Sequence, residues 1–222
     1  MKKLKTPIVI VIVALLACYY FFGNENKVYA EQSKNKKTIL KDSLWDGDII
    51  FHSSSSEQCK AVQIATNSIY SHCGIIFKTG NDYNVLEAVQ PVIITPLNEW
   101  IKRGNDGKYV IRRLIKADSV ITDDVRRKMV ETGKSFLGKN YDLTFEWSDD
   151  RIYCSELVWK IYKRAANIEV GKLQSLKSFN LQDKRVQKIM KERYGNNIPY
   201  DEQVISPVAI FKSDLLKTVA EN

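Results

Sequence analysis

Two apolar strands joined by a turn limit what this chain can fold into more than any other feature. His72-Cys73-Gly74-Ile75-Ile76-Phe77-Lys78 and Asn84-Val85-Leu86-Glu87-Ala88-Val89 flank Thr79-Gly80-Asn81-Asp82. Glycine and asparagine between two runs of β-branched and aromatic residues predict an antiparallel hairpin. Further strands are expected at Asp48–Phe51, Val92–Ile94 and Tyr109–Ile115. Helical segments surround them. Ser56 caps one over Glu57–Asn67, and Thr95-Pro96 opens a short one through Trp100, with proline at the first helical position. Thr122-Asp123-Asp124 caps another to about Phe136, and the basic stretch Asp183–Tyr194 reads as one more. Asn140–Arg151 reads as a loop, and Val204-Ile205-Ser206-Pro207 begins the last ordered piece. Antiparallel strands with helices packed around them define an α+β chain.

The N-terminus reads as a targeting segment. Met1-Lys2-Lys3-Leu4-Lys5 is cationic, and Pro7 to Phe22 is nearly all apolar. Val28-Tyr29-Ala30 then offers small residues three and one before a cleavage point. Cleavage after Ala30 is the first reading. Two alternatives stay open: a lipoprotein box at Leu15-Leu16-Ala17-Cys18, which would put a lipid on Cys18, and an uncleaved anchor. All three put the globular part outside the cytoplasm. The expected organisation is a signal peptide over 1–30, a flexible lead-in over 31–43, and one hydrolase domain over 44–222. Net charge is +8. Without residues 1–30 the chain keeps 30 cations against 25 anions, an excess of 5. An excess of this size suits contact with an anionic wall or membrane surface. It excludes nucleic acid as a partner, because no basic stripe is interleaved with aromatics.

Beyond the leader the cysteines are Cys59, Cys73 and Cys154. An odd count in an exported chain leaves at least one free thiol. There is no CxxC pair, and His52 and His72 lack metal-ligand spacing, so no metal or organic cofactor is expected. Cys154 shares one helical face with Leu157, Val158, Ile161 and Ala165, after the polar turn Ser148–Arg151. That puts it in the first turn of a helix, facing inward. Unpaired N–H groups and the positive dipole end favour the thiolate there. A buried cysteine is more often plain core, so the reading depends on partners. His72 opens an apolar strand and is the candidate base. His52 ends a strand beside a serine run and is expected at a rim. Glu87 lies mid-strand among apolar residues, where a buried carboxylate needs a partner. An odd register sum in the hairpin would put it on the same face as His72; an exposed edge-strand glutamate is the alternative. Tyr141, in the loop before Cys154, is a candidate oxyanion donor or a packing aromatic.

These motifs carry a resemblance. Gly47–Phe51, Ser71–Ile76, Leu86-Glu87-Ala88, Gly138–Tyr141 and Tyr153–Val158 together resemble the NlpC-type papain-like cysteine peptidases. The order strand, His, Glu, Cys is similar to the circularly permuted branch, the YiiX-like group, whose relatives include lecithin:retinol acyltransferase-type proteins. The resemblance spans about residues 45–165. It implies a permuted papain-like fold, an antiparallel sheet or partial barrel against helices, with the cysteine at a helix N-terminus. It implies Cys154 as nucleophile, His72 as base and Glu87 as third member, where unpermuted members carry His, Asn or Gln. The expected activity is hydrolysis of an amide bond, with cell-wall peptide as the first substrate. A lipid-directed acyltransferase or hydrolase on the same triad, and a non-catalytic binding module, are the alternatives.

Overall fold

The computed structural model describes residues 43–222. The expected signal peptide, the lipoprotein box at Cys18 and nearly all of the lead-in lie outside the described residues. In chain order the elements are β1 (Ile49–His52), α1 (Glu57–Thr66), β2 (His72–Thr79), β3 (Asp82–Ala88), β4 (Val92–Pro96), α2 (Leu97–Arg103), β5 (Val110–Leu114), α3 (Ala117–Val120) and α4 (Asp123–Phe136). There follow β6 (Asn140–Tyr141), β7 (Arg151–Ile152), α5 (Cys154–Ala166), β8 (Gln174–Ser175), α6 (Lys184–Tyr194), β9 (Gln203–Val204), α7 (Pro207–Phe211) and β10 (Leu216–Glu221). Six strands form one antiparallel sheet in the order β10-β5-β1-β2-β3-β4. The α+β expectation holds, with residues 45–222 in one unit.

The hairpin register pairs Ile75 with Leu86 and Ile76 with Val85. Extending it puts Glu87 opposite Gly74 and diagonal to His72 on the same face, because side chains alternate with period two. Gly74 is required there. A Cβ would lie 2.4 Å from Val85 Cγ1 and 2.9 Å from the Leu86 carbonyl oxygen, so any side chain would push the two strands apart. Ile49, Phe51 and Ile75 enter a core with Met129 and Phe136 of α4 and Leu157, Val158 and Ile161 of α5. Gly133 lets α4 approach the sheet, since a Cβ would meet Leu86 Cδ2 at 2.5 Å. Ile50, Ile76, Val85 and Ile111, of opposite parity on their strands, are equally buried. The sheet is therefore covered on both faces where the site is built. A smaller cluster joins α1 to α6 through Ala61, Leu176, Val186, Met190 and Val204.

Several elements differ from expectation: the segment expected as a loop over Asn140–Arg151 begins with β6 and ends in β7, and α3, β8 and β9 are short additions. Pro96 is the N-cap of α2, one residue before the predicted position. The final strand β10 was not predicted. It is a half-exposed edge with a register shift between Thr218 and Ala220, so its alternation is too weak to read.

One buried ion pair ties β1 to β5. Arg113 donates from Nε to Asp48 Oδ1 and from a terminal nitrogen to Oδ2, both at 2.7 Å, and the Trp45 N–H donates to Oδ2 at 2.9 Å. Asp48 is buried, and burial pushes its carboxyl up despite these donors. Removing one partner leaves a buried charge uncompensated, at a cost of about 3–5 kcal/mol. Arg113→Met is therefore expected to lower the urea-unfolding free energy by about that amount, and a loss under about 1 kcal/mol would contradict the role given to the pair.

Candidate active site

Cys154 is the first residue of α5 and is buried. Three contacts fix that helix start. The Tyr153 N–H donates to Glu156 Oε2 at 3.4 Å, the glutamate half of a capping box. The Tyr153 hydroxyl accepts from the Ile205 N–H at 3.0 Å, and Ser155 Oγ donates to the Ile205 carbonyl at 2.8 Å. At this first position the Cys154 N–H has no intrahelical acceptor.

His72 lies between the thiol and Glu87. Its Nε2 is 2.7 Å from Glu87 Oε2, and its other hydrogen-bond partner is Cys154. With Nε2 committed to the carboxylate, Nδ1 is the nitrogen left for the sulfur. Glu87 is fully buried. Besides His72 it accepts from Thr95 Oγ1 at 2.6 Å, from Trp100 Nε1 at 2.9 Å and from the Arg103 guanidinium. Burial pushes the Glu87 carboxyl up, but His72, Thr95 and Arg103 outweigh it and hold it down at about 2. Burial likewise pulls His72 down, while its bonds to Cys154 and Glu87 push it up to about 10. The Cys154 thiol is held well below its ordinary value, first by a hydrogen bond from the Cys73 thiol, against burial, and then by His72; the Cys73 N–H also contributes. Cys73 itself, buried, is pushed well above the ordinary thiol range and stays protonated. The surroundings of Cys154 and His72 thus favour a thiolate–imidazolium pair beside the Glu87 carboxylate.

Tyr141 reaches the thiol because β6 runs parallel to β7, with Tyr141 opposite Ile152. Gln90 Oε1 accepts the Tyr141 N–H at 2.7 Å, and Gly138, at φ +78, turns the chain into β6. The Tyr141 hydroxyl belongs to the same wall as Cys154 and accepts from Gln58 Nε2 at 3.0 Å. Burial and then the neighbouring Cys154 hold the phenol well above its usual value.

Two openings meet at this point. One is a slot reaching Cys154, walled by Ala61, Val62, Phe145, Val186, Ile189 and Met190, with Arg193 over the Phe145 ring at 5.2 Å. It has about 740 Å³ of empty space out to its mouth, but only about 100 Å³ admits the centre of a water molecule, so it is narrow. The other is a wider cleft of about 1020 Å³ reaching His72, less strictly apolar than the slot, with Ser54, Ser56, Gln90 and Arg103 on its walls. Gln58, Ser71 and Tyr141 border both.

The structure therefore brings together Cys154, His72, Glu87 and Tyr141. It also gathers residues the sequence did not single out: Cys73, Gln58, Thr95, Trp100 and Arg103. Trp100 and Arg103 lie three apart on one short helix face, a spacing that could have pointed to a shared contact. His52 is not at a rim. It is buried, paired across the strands with His72 and stacked on Trp100 at 4.0 Å. The reason is α2, which lays Trp100 over the end of β1, while Gly104 passes so close that a Cβ would lie 2.8 Å from His52 Nδ1. Burial and then the charged His72 pull His52 down to about 3, so it is neutral.

A thiol at a helix start, an imidazole at a strand end and a buried acid behind it fit a papain-like cysteine amidase in permuted order. The chain belongs to the permuted papain-like amidase family, YaeF/YiiX, C92, whose model matches residues 43–220. It is 50% identical over 175 residues to the uncharacterized protein YiiX of Escherichia coli K12, covering 79% of this chain and 85% of that protein. A crystal structure of YiiX from Escherichia coli O157:H7, described as a metalloprotein, superposes with a TM-score of 0.76 at 48% identity, covering 81% of this chain and 98% of that one. Among the described residues of the present chain, no group of three or more His, Cys, Asp or Glu is placed to hold a metal ion.

The depressed thiol predicts the pH dependence of its reactivity. Alkylation of Cys154 by iodoacetamide is expected to persist well below about pH 8.5, the midpoint of an ordinary free thiol, and to be lost only as pH falls through the depressed value. Glu87→Gln removes the charge that supports the imidazolium and should move that midpoint up by at least about one unit. A wild-type midpoint near 8.5, or one unmoved by Glu87→Gln, contradicts the ion pair.

Proposed function

We propose that this chain cleaves amides through a covalent thioester on Cys154, and that the acyl half of its substrate is a hydrocarbon chain. The observation that carries the reading is the imidazole of His72 held between Cys154 and the buried Glu87. The thiolate attacks the carbonyl carbon. The tetrahedral oxyanion accepts from the Cys154 N–H and the Tyr141 hydroxyl. His72 then donates its Nδ1 proton to the leaving amine, and Glu87 keeps the ring oriented for that transfer. Water, deprotonated by His72, releases the acid; a second amine or alcohol in its place would complete an acyl transfer.

The two openings support the substrate assignment. The leaving amine must lie beside the imidazole that protonates it, and His72 faces the wider cleft, which carries more polar groups than the slot. The acyl group stays on the sulfur, and Cys154 faces the narrow apolar slot. A methylene chain fits such a wall. A peptide would leave amide groups there without partners, at about 1–3 kcal/mol each. Cell-wall peptide, expected from the export signal and the mild basic charge, is therefore the second reading. The leader supports action outside the cytoplasm, where lipid-linked and wall-linked amides are both present.

Hydrolysis of N-acyl p-nitroanilides from acetyl to dodecanoyl tests this. Each buried methylene stabilises the complex by about 0.8 kcal/mol, so kcat/KM should rise about fourfold per methylene until the slot is full. Cys154→Ala should abolish turnover. A flat chain-length profile, or faster cleavage of a muropeptide than of the octanoyl compound, contradicts the hydrocarbon assignment. Turnover surviving in Cys154→Ala contradicts the thioester.

A further inference from the structure

Gln58 has a defined place in the site that the thioester chemistry does not yet use. It lies in the first turn of α1, on the rim common to slot and cleft. That turn is fixed, because Ser56 Oγ accepts the Cys59 N–H at 3.2 Å. From there the Gln58 side-chain amide donates Nε2–H to the Tyr141 hydroxyl oxygen at 3.0 Å. The two residues are 83 positions apart, so this contact exists only in the assembled site.

The direction of that bond has a consequence. A phenol has one proton to donate and lone pairs with which to accept. An amide N–H pointing at the oxygen occupies a lone pair and leaves the phenol proton to be donated elsewhere. The neighbouring group on that side is Cys154. Once the carbonyl carbon is bonded to sulfur, a phenol proton directed toward Cys154 faces the developing oxyanion. A tyrosine that presents its lone pairs to the oxyanion would repel it, so the orientation of one O–H decides whether Tyr141 helps or hinders.

We infer that Gln58 is a positioning residue: resting on the amidase reading, its amide orients the Tyr141 hydroxyl so that the phenol proton is directed at the oxyanion formed on the Cys154 thioester path. Gln58 touches neither the nucleophile nor the imidazole through a hydrogen bond of its own among the described residues, so it acts through Tyr141.

The test uses p-nitrophenyl octanoate, whose cleavage also passes through a tetrahedral oxyanion, with the full chain. Gln58→Leu should lower kcat about tenfold, one hydrogen bond's worth of orientation, with KM nearly unchanged. In a Tyr141→Phe background the same change should cost less than about twofold, because there is no proton left to direct. Gln58→Glu supplies a readout that packing alone would not move. Protonated, the acid donates to the phenol as the amide does; ionised, it accepts the phenol proton and turns it away from Cys154. Its kcat should therefore be near wild type at low pH and fall as pH rises through the carboxyl pKa, a limb absent from the wild type. The limb is read within one variant, so a partly unfolded population cancels. Equal losses for Gln58→Leu in both backgrounds overturn the inference. So does the absence of the limb, or a matching limb in Cys154 alkylation, which would report charge on the thiolate itself. If ester turnover does not depend on Cys154, the amidase reading falls and this inference with it; if it does and the Gln58 variants are silent, only the inference falls.

Discussion

Everything in this site depends on one buried carboxylate. Glu87 is removed from water near the end of β3, where an unpaired charge would be prohibitive. Four donors from three elements compensate it: His72 from β2, Thr95 from β4, and Trp100 and Arg103 from α2. The bond to His72 settles which ring nitrogen is free, and so where the imidazole points. Trp100 does double duty, since its indole N–H holds Glu87 while its ring stacks against His52 and His72. The charge on His72, together with the Cys73 hydrogen bond, then keeps Cys154 ionised despite burial. Sheet register, acid, base and nucleophile form one chain of consequences, and Gly74 permits it by letting β2 and β3 close beside Glu87.

The surroundings of the thiolate are asymmetric. On one side α1 and α6 build a narrow apolar wall; on the other, the ends of β1, β2 and β3 open into a wider cleft with more polar groups. On the proposed reading, a nucleophile between such spaces separates the two halves of an amide by their chemistry: the half that stays on sulfur meets hydrocarbon, and the half that leaves with a proton meets the imidazole and water. Tyr141 and Gln58 stand where the spaces meet, over the carbonyl that both halves share.

Much of the frame was legible in the sequence, for local reasons. The hairpin announces itself through Gly80-Asn81; given the odd register sum that the structure supplies, the two-residue period of a strand puts Glu87 and His72 on one face. The start of α5 shows in the apolar spacing after Cys154. Tyr141 was a candidate because its loop leads directly to the nucleophile. What stayed hidden is what distant residues make together. Arg103 and Thr95 look like ordinary polar residues until α2 folds back on β3. Cys73 looks like core, and only the packing of α5 against β2 brings it beside Cys154. His52 precedes a serine run that suggested solvent, and α2 with Gly104 buries it. The slot comes from α1, α6 and the segments near Leu176 and Val204, which no local pattern links.

The central claim is that Cys154 carries the acyl group of an amide while His72 releases the amine. Rapid quenching of the full chain with N-octanoyl p-nitroanilide in acid, followed by proteolysis and mass spectrometry, reads that intermediate directly. The account predicts one octanoyl group on the peptide containing Cys154, with p-nitroaniline released in equal amount. Amine release with no acyl group on Cys154, or acylation of Cys59 or Cys73 instead, would contradict it.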